Sequence, residues 1–253
     1  MVALLALLGL FVCGPALAET RVIHVLVALC DNATQGIVPV PAKIGNGGDP
    51  ANNLYWGCAY GVSTFMKKQS GWRLVQSYKN PAPEIYERLV FKSVDRDVYM
   101  VADAYAGRHI KQTTTDLFDY AAGMWPEPLE IDGVGISIRG GADLLVYVGH
   151  NGLMDFEIER PQKALDDKKR DVAVFACASR QYFSGLIAET GARPLALTTN
   201  LMAPEAYVVL ALAEGWVAGE SAALLHERIA KAYNQYQKCG INGARKLFAV
   251  NDN

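Results

Sequence analysis

Five apolar runs of strand length recur along the chain, separated by stretches of helical periodicity, and this alternation constrains the fold more than any other feature. The runs are VIHVLVAL (22–29), VYMVADAY (98–105), ADLLVYV (142–148), DVAVFA (171–176) and PLALTT (194–199). Each is nearly continuous in apolar residues, the first of them β-branched as well, the pattern of strands buried on both faces. A run ERLVFKSV (87–94) precedes the second and is expected to pair with it. Helices are expected at 54–68, 110–123, 179–191, from Pro204 onward, and at 221–238. In the last of these, Ala222, Leu225, Ile229, Ala232 and Tyr236 fall on one face. Strand–helix alternation over more than 200 residues predicts an α/β fold, a three-layer α/β/α sandwich around a mostly parallel sheet. No shift in composition marks a boundary, so residues 19–253 read as one domain.

Residues 1–18, MVALLALLGLFVCGPALA, stand apart. They carry no charged side chain and end in Ala16-Leu17-Ala18 before Glu19, the small-x-small pattern of a signal peptide cleaved after Ala18. The expected localisation is secreted or periplasmic. No later stretch reaches the ~20 apolar residues of a membrane span, and a net charge of −2 offers nothing to nucleic acid. Export permits disulfides, and Cys30, Cys58, Cys177 and Cys239 remain after cleavage. A pair among Cys30, Cys58 and Cys239 and a set of unpaired thiols are both open. No His/Cys cluster has zinc-ligand spacing, so neither a metal nor a cofactor is expected. The loop GNGGDP (45–50) lacks the Lys and Ser/Thr of a phosphate-binding loop and reads as a surface loop near the active edge. Asn32-Ala33-Thr34 fits an N-glycosylation sequon.

The chemistry concentrates at two strand ends. LLVYVGHNG (144–152) closes on His150, and VAVFACAS (172–179) closes on Cys177. In a parallel sheet, ligands bind beyond the carboxyl ends of the strands, and sequential strands tend to be neighbours. An imidazole beside a thiol takes its proton and makes it a nucleophile. The backbone N–H of Cys177, with that of Asn151 or Gly152, would serve as oxyanion donor. His24, His109 and His226 are scattered and read as structural or exposed.

These two motifs resemble the caspase–legumain–gingipain group of cysteine peptidases (clan CD), in which an apolar strand ends in His-Gly and a later one in Ala-Cys. VLVALCDN (25–32) looks like the first strand of that group and PLALTTN (194–200) like the strand after the nucleophile helix. The resemblance spans roughly residues 22–235 and implies a caspase-like fold, with Cys177 the nucleophile and His150 the general base and acid. Here Asn151 stands between the histidine and Gly152. The resemblance also makes Phe175, two residues before the nucleophile, a candidate lining of the substrate pocket. Asp31, Thr199 and Asn200, at strand ends on the same edge, are further substrate-binding candidates, with turn chemistry as their alternative role. The implied activity is peptide-bond hydrolysis on a peptide or protein substrate through an acyl-enzyme. A non-catalytic binding protein on the same scaffold and a cysteine-dependent acyl transferase or esterase are the alternatives.

Overall fold

A computed structural model describes residues 20–251; the expected signal peptide lies outside the described residues. The core is an eight-stranded sheet. Its first strand, β1 (Arg21–Ala28), is central, flanked in parallel by β4 (Val98–Tyr105) and β7 (Leu144–Val148). Beyond β7 come β8 (Asp171–Phe175) and β9 (Arg193–Thr198), also parallel. The two ends of the sheet are antiparallel. On one side lie β3 (Ile85–Ser93) and β2 (Trp72–Ala82); on the other a short β10 (Phe248–Val250) closes against β9. The sheet is therefore mostly parallel, as the five apolar runs require.

Alternate residues of each strand feed two cores. Val25, Val27, Leu144, Val146, Ala173 and Phe175 face one layer, with α1 (Val62–Met66), α4 (Ala206–Ala218) and α5 (Ala222–Gln237). Leu26, Leu145, Tyr147, Val172 and Val174 face the other, with α2 (Ile110–Ala121), α3 (Ser179–Glu189) and a hairpin of β5 (Glu127–Ile131) and β6 (Val134–Ile138). Helices thus cover both faces, giving the three layers. A short α6 (Ile241–Leu247) leads into β10.

The expected helix over 54–68 is a correction: only Val62–Met66 is helical and the preceding residues form turns. The cause is local. Asn53 is fully buried and uses its side-chain amide to bind both the N–H (3.1 Å) and the carbonyl (2.8 Å) of Cys30. That fixes the segment to the end of β1 before a helix can start. GNGGDP is not loose either. Its Gly45 carbonyl accepts from the Asn32 N–H (2.9 Å), and its Gly47 carbonyl accepts from the Gly107 N–H (2.9 Å). A Cβ on Gly47 would stand 2.7 Å from the Cβ of Asp31. The sequon asparagine is held in the same corner: its amide donates to the Val40 carbonyl (2.7 Å) and accepts from the Val40 N–H (3.0 Å).

The chain leaves β1 toward β4 and then returns across β1 to β7, from which it runs outward to β8 and β9. Strand order therefore reverses between β1 and β7. In an open parallel sheet the crevice at such a reversal, beyond the strand carboxyl ends, is where ligands bind.

Candidate active site

His150 and Cys177 sit at that edge on neighbouring strands. β7 and β8 pair in parallel with Val148 opposite Phe175, so His150 and Cys177 each follow the last paired position by two residues. The amide of Asn151 joins the two ends directly, donating to the Cys177 carbonyl at 2.7 Å, while its oxygen accepts from the Leu153 N–H. Asn151 is fully buried and acts as a clamp between the motifs.

Both strand ends turn sharply. Gly149 has φ +153°, and a Cβ there would lie 2.9 Å from the Ala28 carbonyl oxygen, so the chain passes close to β1 only because residue 149 has no side chain. After the cysteine, Ala178 adopts the left-handed region at φ +48° and leads into α3. A non-glycine residue pays a steric cost there, a feature that clusters at functional sites. The strand–turn–helix passage places Cys177 at the amino end of an eleven-residue helix.

His150 is 8% exposed. Its Nε2 lies 2.7 Å from Oδ2 of Asp155, which also accepts the Gly36 N–H at 2.8 Å. A carboxylate only accepts, so Nε2 carries a proton, and in the neutral ring Nδ1 then keeps its lone pair. Among the described residues Nδ1 has no hydrogen-bond partner, leaving it available as a base. The Tyr147 hydroxyl holds the His150 carbonyl at 2.8 Å. Cys177 Sγ accepts from the Met202 N–H at 3.4 Å and approaches the Met202 carbonyl at 3.6 Å. The thiol rests against the loop after β9.

The other candidates divide. Phe175 is fully buried and packs edge-to-face on Phe248 (6.2 Å). It belongs to the core and presents no surface to a substrate, because position 175 points into the α4/α5 layer. Asp31 closes its own turn, accepting from the Ala33 N–H (3.0 Å) and the Thr34 hydroxyl (2.7 Å). The Thr199 hydroxyl donates to the Lys246 carbonyl (2.7 Å) and the Asn200 amide oxygen accepts from the Leu201 N–H (2.8 Å). Both nonetheless line a cavity of about 370 Å³ with Leu201, Tyr233, Cys239 and Lys246. The Gly152 and Cys177 N–H groups donate to no protein acceptor among the described residues.

Asp155, Gly36 and Met202 carried no sequence signal. Asp155 caps the end of a short 3-10 turn, Gly152–Met154, after His150, and its other partner, Gly36, is distant in sequence. Among the described residues the four cysteines Cys30, Cys58, Cys177 and Cys239 are free, and no group of three or more His, Cys, Asp or Glu could hold a metal ion. No helix among them is long and apolar enough to cross a membrane.

Cys30, at the end of β1, gives a contrast. Burial pushes its thiol up from the usual 9.0 to about 11, against an opposing hydrogen bond from Tyr55. A value raised by folding favours the protonated form in the native state. Its contribution to stability is full below the unfolded thiol value and disappears as pH rises through about 11. Urea unfolding of wild type and Cys30→Ala from pH 8 to 11 should show the wild type losing stability faster; parallel curves would contradict the buried thiol.

No protein-family model matches the chain, and neither does any curated protein or solved structure.

Proposed function

We propose that the chain is an exported cysteine peptidase-like hydrolase of caspase-like type, in which Cys177 attacks a peptide carbonyl with His150 as base and acid. The observation that carries this reading is the parallel pairing of Val148 with Phe175, which makes the strands that end in His150 and Cys177 neighbours, one strand on from the reversal between β1 and β7. In the first step the S–H proton passes to Nδ1 of His150 and the thiolate sulfur bonds to the carbonyl carbon. Negative charge moves to the oxygen, where the N–H groups of Cys177 and Gly152 are free to receive it. Collapse of this intermediate breaks the C–N bond, and the amine leaves with the proton from His150. A water molecule, deprotonated by the same imidazole, then attacks the thioester and releases the acid and the thiol. Asp155 holds the imidazole in the required tautomer and balances its charge during both transfers.

The thiol contacts Met202 rather than His150 in this structure, and this contact favours a second reading, a binding protein in which the pair is idle. The two differ in thiol reactivity. Iodoacetamide labelling from pH 5 to 9, mapped cysteine by cysteine, should show Cys177 reacting fast below pH 7 and losing that advantage in His150→Ala. Cys30, buried and hard to ionise, should label slowly throughout. Labelling of Cys177 as an ordinary thiol would retire the hydrolase in favour of the binding protein. Cleavage of peptide rather than ester or acceptor-dependent transfer separates the hydrolase from an acyl transferase or esterase.

A further inference from the structure

The loops that carry the dyad also carry large apolar side chains that no core covers. Val38 is 88% exposed, Leu201 70% and Met154 47%. Each is close in sequence to a residue that touches the dyad or its support. Met154 precedes Asp155, the partner of His150. Val38 follows by two residues Gly36, whose N–H binds Asp155. Leu201 precedes Met202, whose N–H binds Cys177 Sγ. The strand order β9, β8, β7, β1 spreads these positions across the edge: Leu201 after β9, Cys177 after β8, His150 and Met154 after β7, and Val38 after β1. Apolar groups therefore flank the dyad on both sides, along a line crossing the strand ends. Leu201 also opens into the cavity of about 370 Å³, whose wall includes Tyr233 and Leu247.

Three carboxylates near the dyad already have hydrogen-bond partners. Asp31 is held in its own turn, Asp155 by His150 and Gly36, and Glu205, whose carboxyl burial pushes upward, by Gln237. A basic substrate side chain finds no uncommitted anion among them. Exposed apolar groups concentrated beside a reactive pair mark a binding surface.

From this we infer that the site recognises an extended peptide with apolar side chains on both sides of the bond presented to Cys177. One side chain enters the cavity beside Leu201 and the other lies against Met154 and Val38. The inference deepens the hydrolase reading but is tested apart from it. Lys246 is a cation on the wall of that cavity, so acidic peptides are the rival ligands.

The test uses Cys177→Ala protein and three sets of fluorescein-labelled heptapeptides, with Leu/Val, Asp/Glu or Lys/Arg at the central positions, followed by anisotropy. The apolar set should bind at least about tenfold more tightly than either charged set. Leu201→Asp and Met154→Asp, both at exposed positions, should each weaken it by about tenfold, the loss expected when one large apolar contact is removed. Equal or tighter binding of a charged set, no binding by any set, or indifference to both substitutions would overturn the inference. Apolar binding beside an unreactive Cys177 in wild type would sink only the hydrolase reading. A reactive Cys177 with charged preference would sink only the apolar one.

Discussion

Replacing Arg88 with alanine should destabilise the protein by about 3–5 kcal/mol, the cost of stranding one member of a buried ion pair. Arg88 is buried on β3 and grips Asp103 of β4 with two hydrogen bonds, Nε to Oδ1 at 2.7 Å and Nη2 to Oδ2 at 2.8 Å. His24 of β1 adds a third contact to Asp103 at 3.0 Å, and Glu127 of β5 takes the other end of Arg88. Three strands thus meet at one buried carboxylate, and β5 joins through Arg88. Burial alone would raise the Asp103 carboxyl, but the hydrogen bonds and charges of Arg88 and His24 outweigh it and hold the carboxyl below its ordinary value. A value lowered by folding contributes stability above the unfolded carboxyl value and loses it as pH falls through the folded one. Urea denaturation at pH 7 should show the full loss in Arg88→Ala, with a melting point lower by roughly 10 °C. Arg88→Met combined with Asp103→Leu should recover much of it, because removing both charges leaves neither stranded. The double variant should also lack the part of acid destabilisation that belongs to Asp103. A loss below about 1 kcal/mol in Arg88→Ala would mean that Asp103 is solvated and the cluster is not a structural joint.

That joint was invisible in the sequence for a physical reason. His24 and Asp103 interrupt apolar runs in which the period-two pattern offers no partner for either, and Arg88 sits in a run read only as a pairing strand. Burial of both strand faces was legible from the runs themselves, and with it the sheet, its layers and the adjacency of His150 to Cys177. The edges were not. The strand Trp72–Ala82 is exposed along most of its length and bulged, so it shows no clean alternation. The β5–β6 hairpin turns on Asp132 and Gly133, both at positive φ, a signal present in the sequence as Asp-Gly between short alternating runs. At the site, what sequence reading lacks is the direction of a side chain. Phe175 looked like a pocket wall because it precedes the nucleophile by two, yet that same spacing sends it to the core face that Ala173 also lines. Asp31, Thr199 and Asn200 reach the predicted edge but spend their polar atoms on their own turns and on α6.

Asp155 is where the largest catalytic effect outside the dyad is expected. Asp155→Ala should lower turnover of a cleaved peptide by about 10²–10⁴, the range attached to a positioned acid–base group, because His150 loses the acceptor that fixes its Nε2–H. Asp155→Asn separates orientation from charge. Oδ2 accepts from both His150 and Gly36, so an amide oxygen in its place keeps both bonds and the tautomer. The loss in Asn should then be the smaller one. Turnover should still fall below wild type, since a neutral amide no longer balances the charge the imidazole takes up during proton transfer. Gly36→Ala approaches the same point from the opposite loop: its Cβ would stand 2.2 Å from Asp155 Oδ1, and pushing the carboxylate aside should mimic a partial Asp155→Ala with little change in KM. A merely structural Asp155 would give another pattern, with stability falling in all three variants and turnover falling only as the folded fraction does. If the three proteins instead melt like wild type while turnover falls in the order Asn, then Ala, the contact between the β1 and β7 loops is part of the proposed catalytic machinery, and the strand-order reversal supplies its third group as well as its first two.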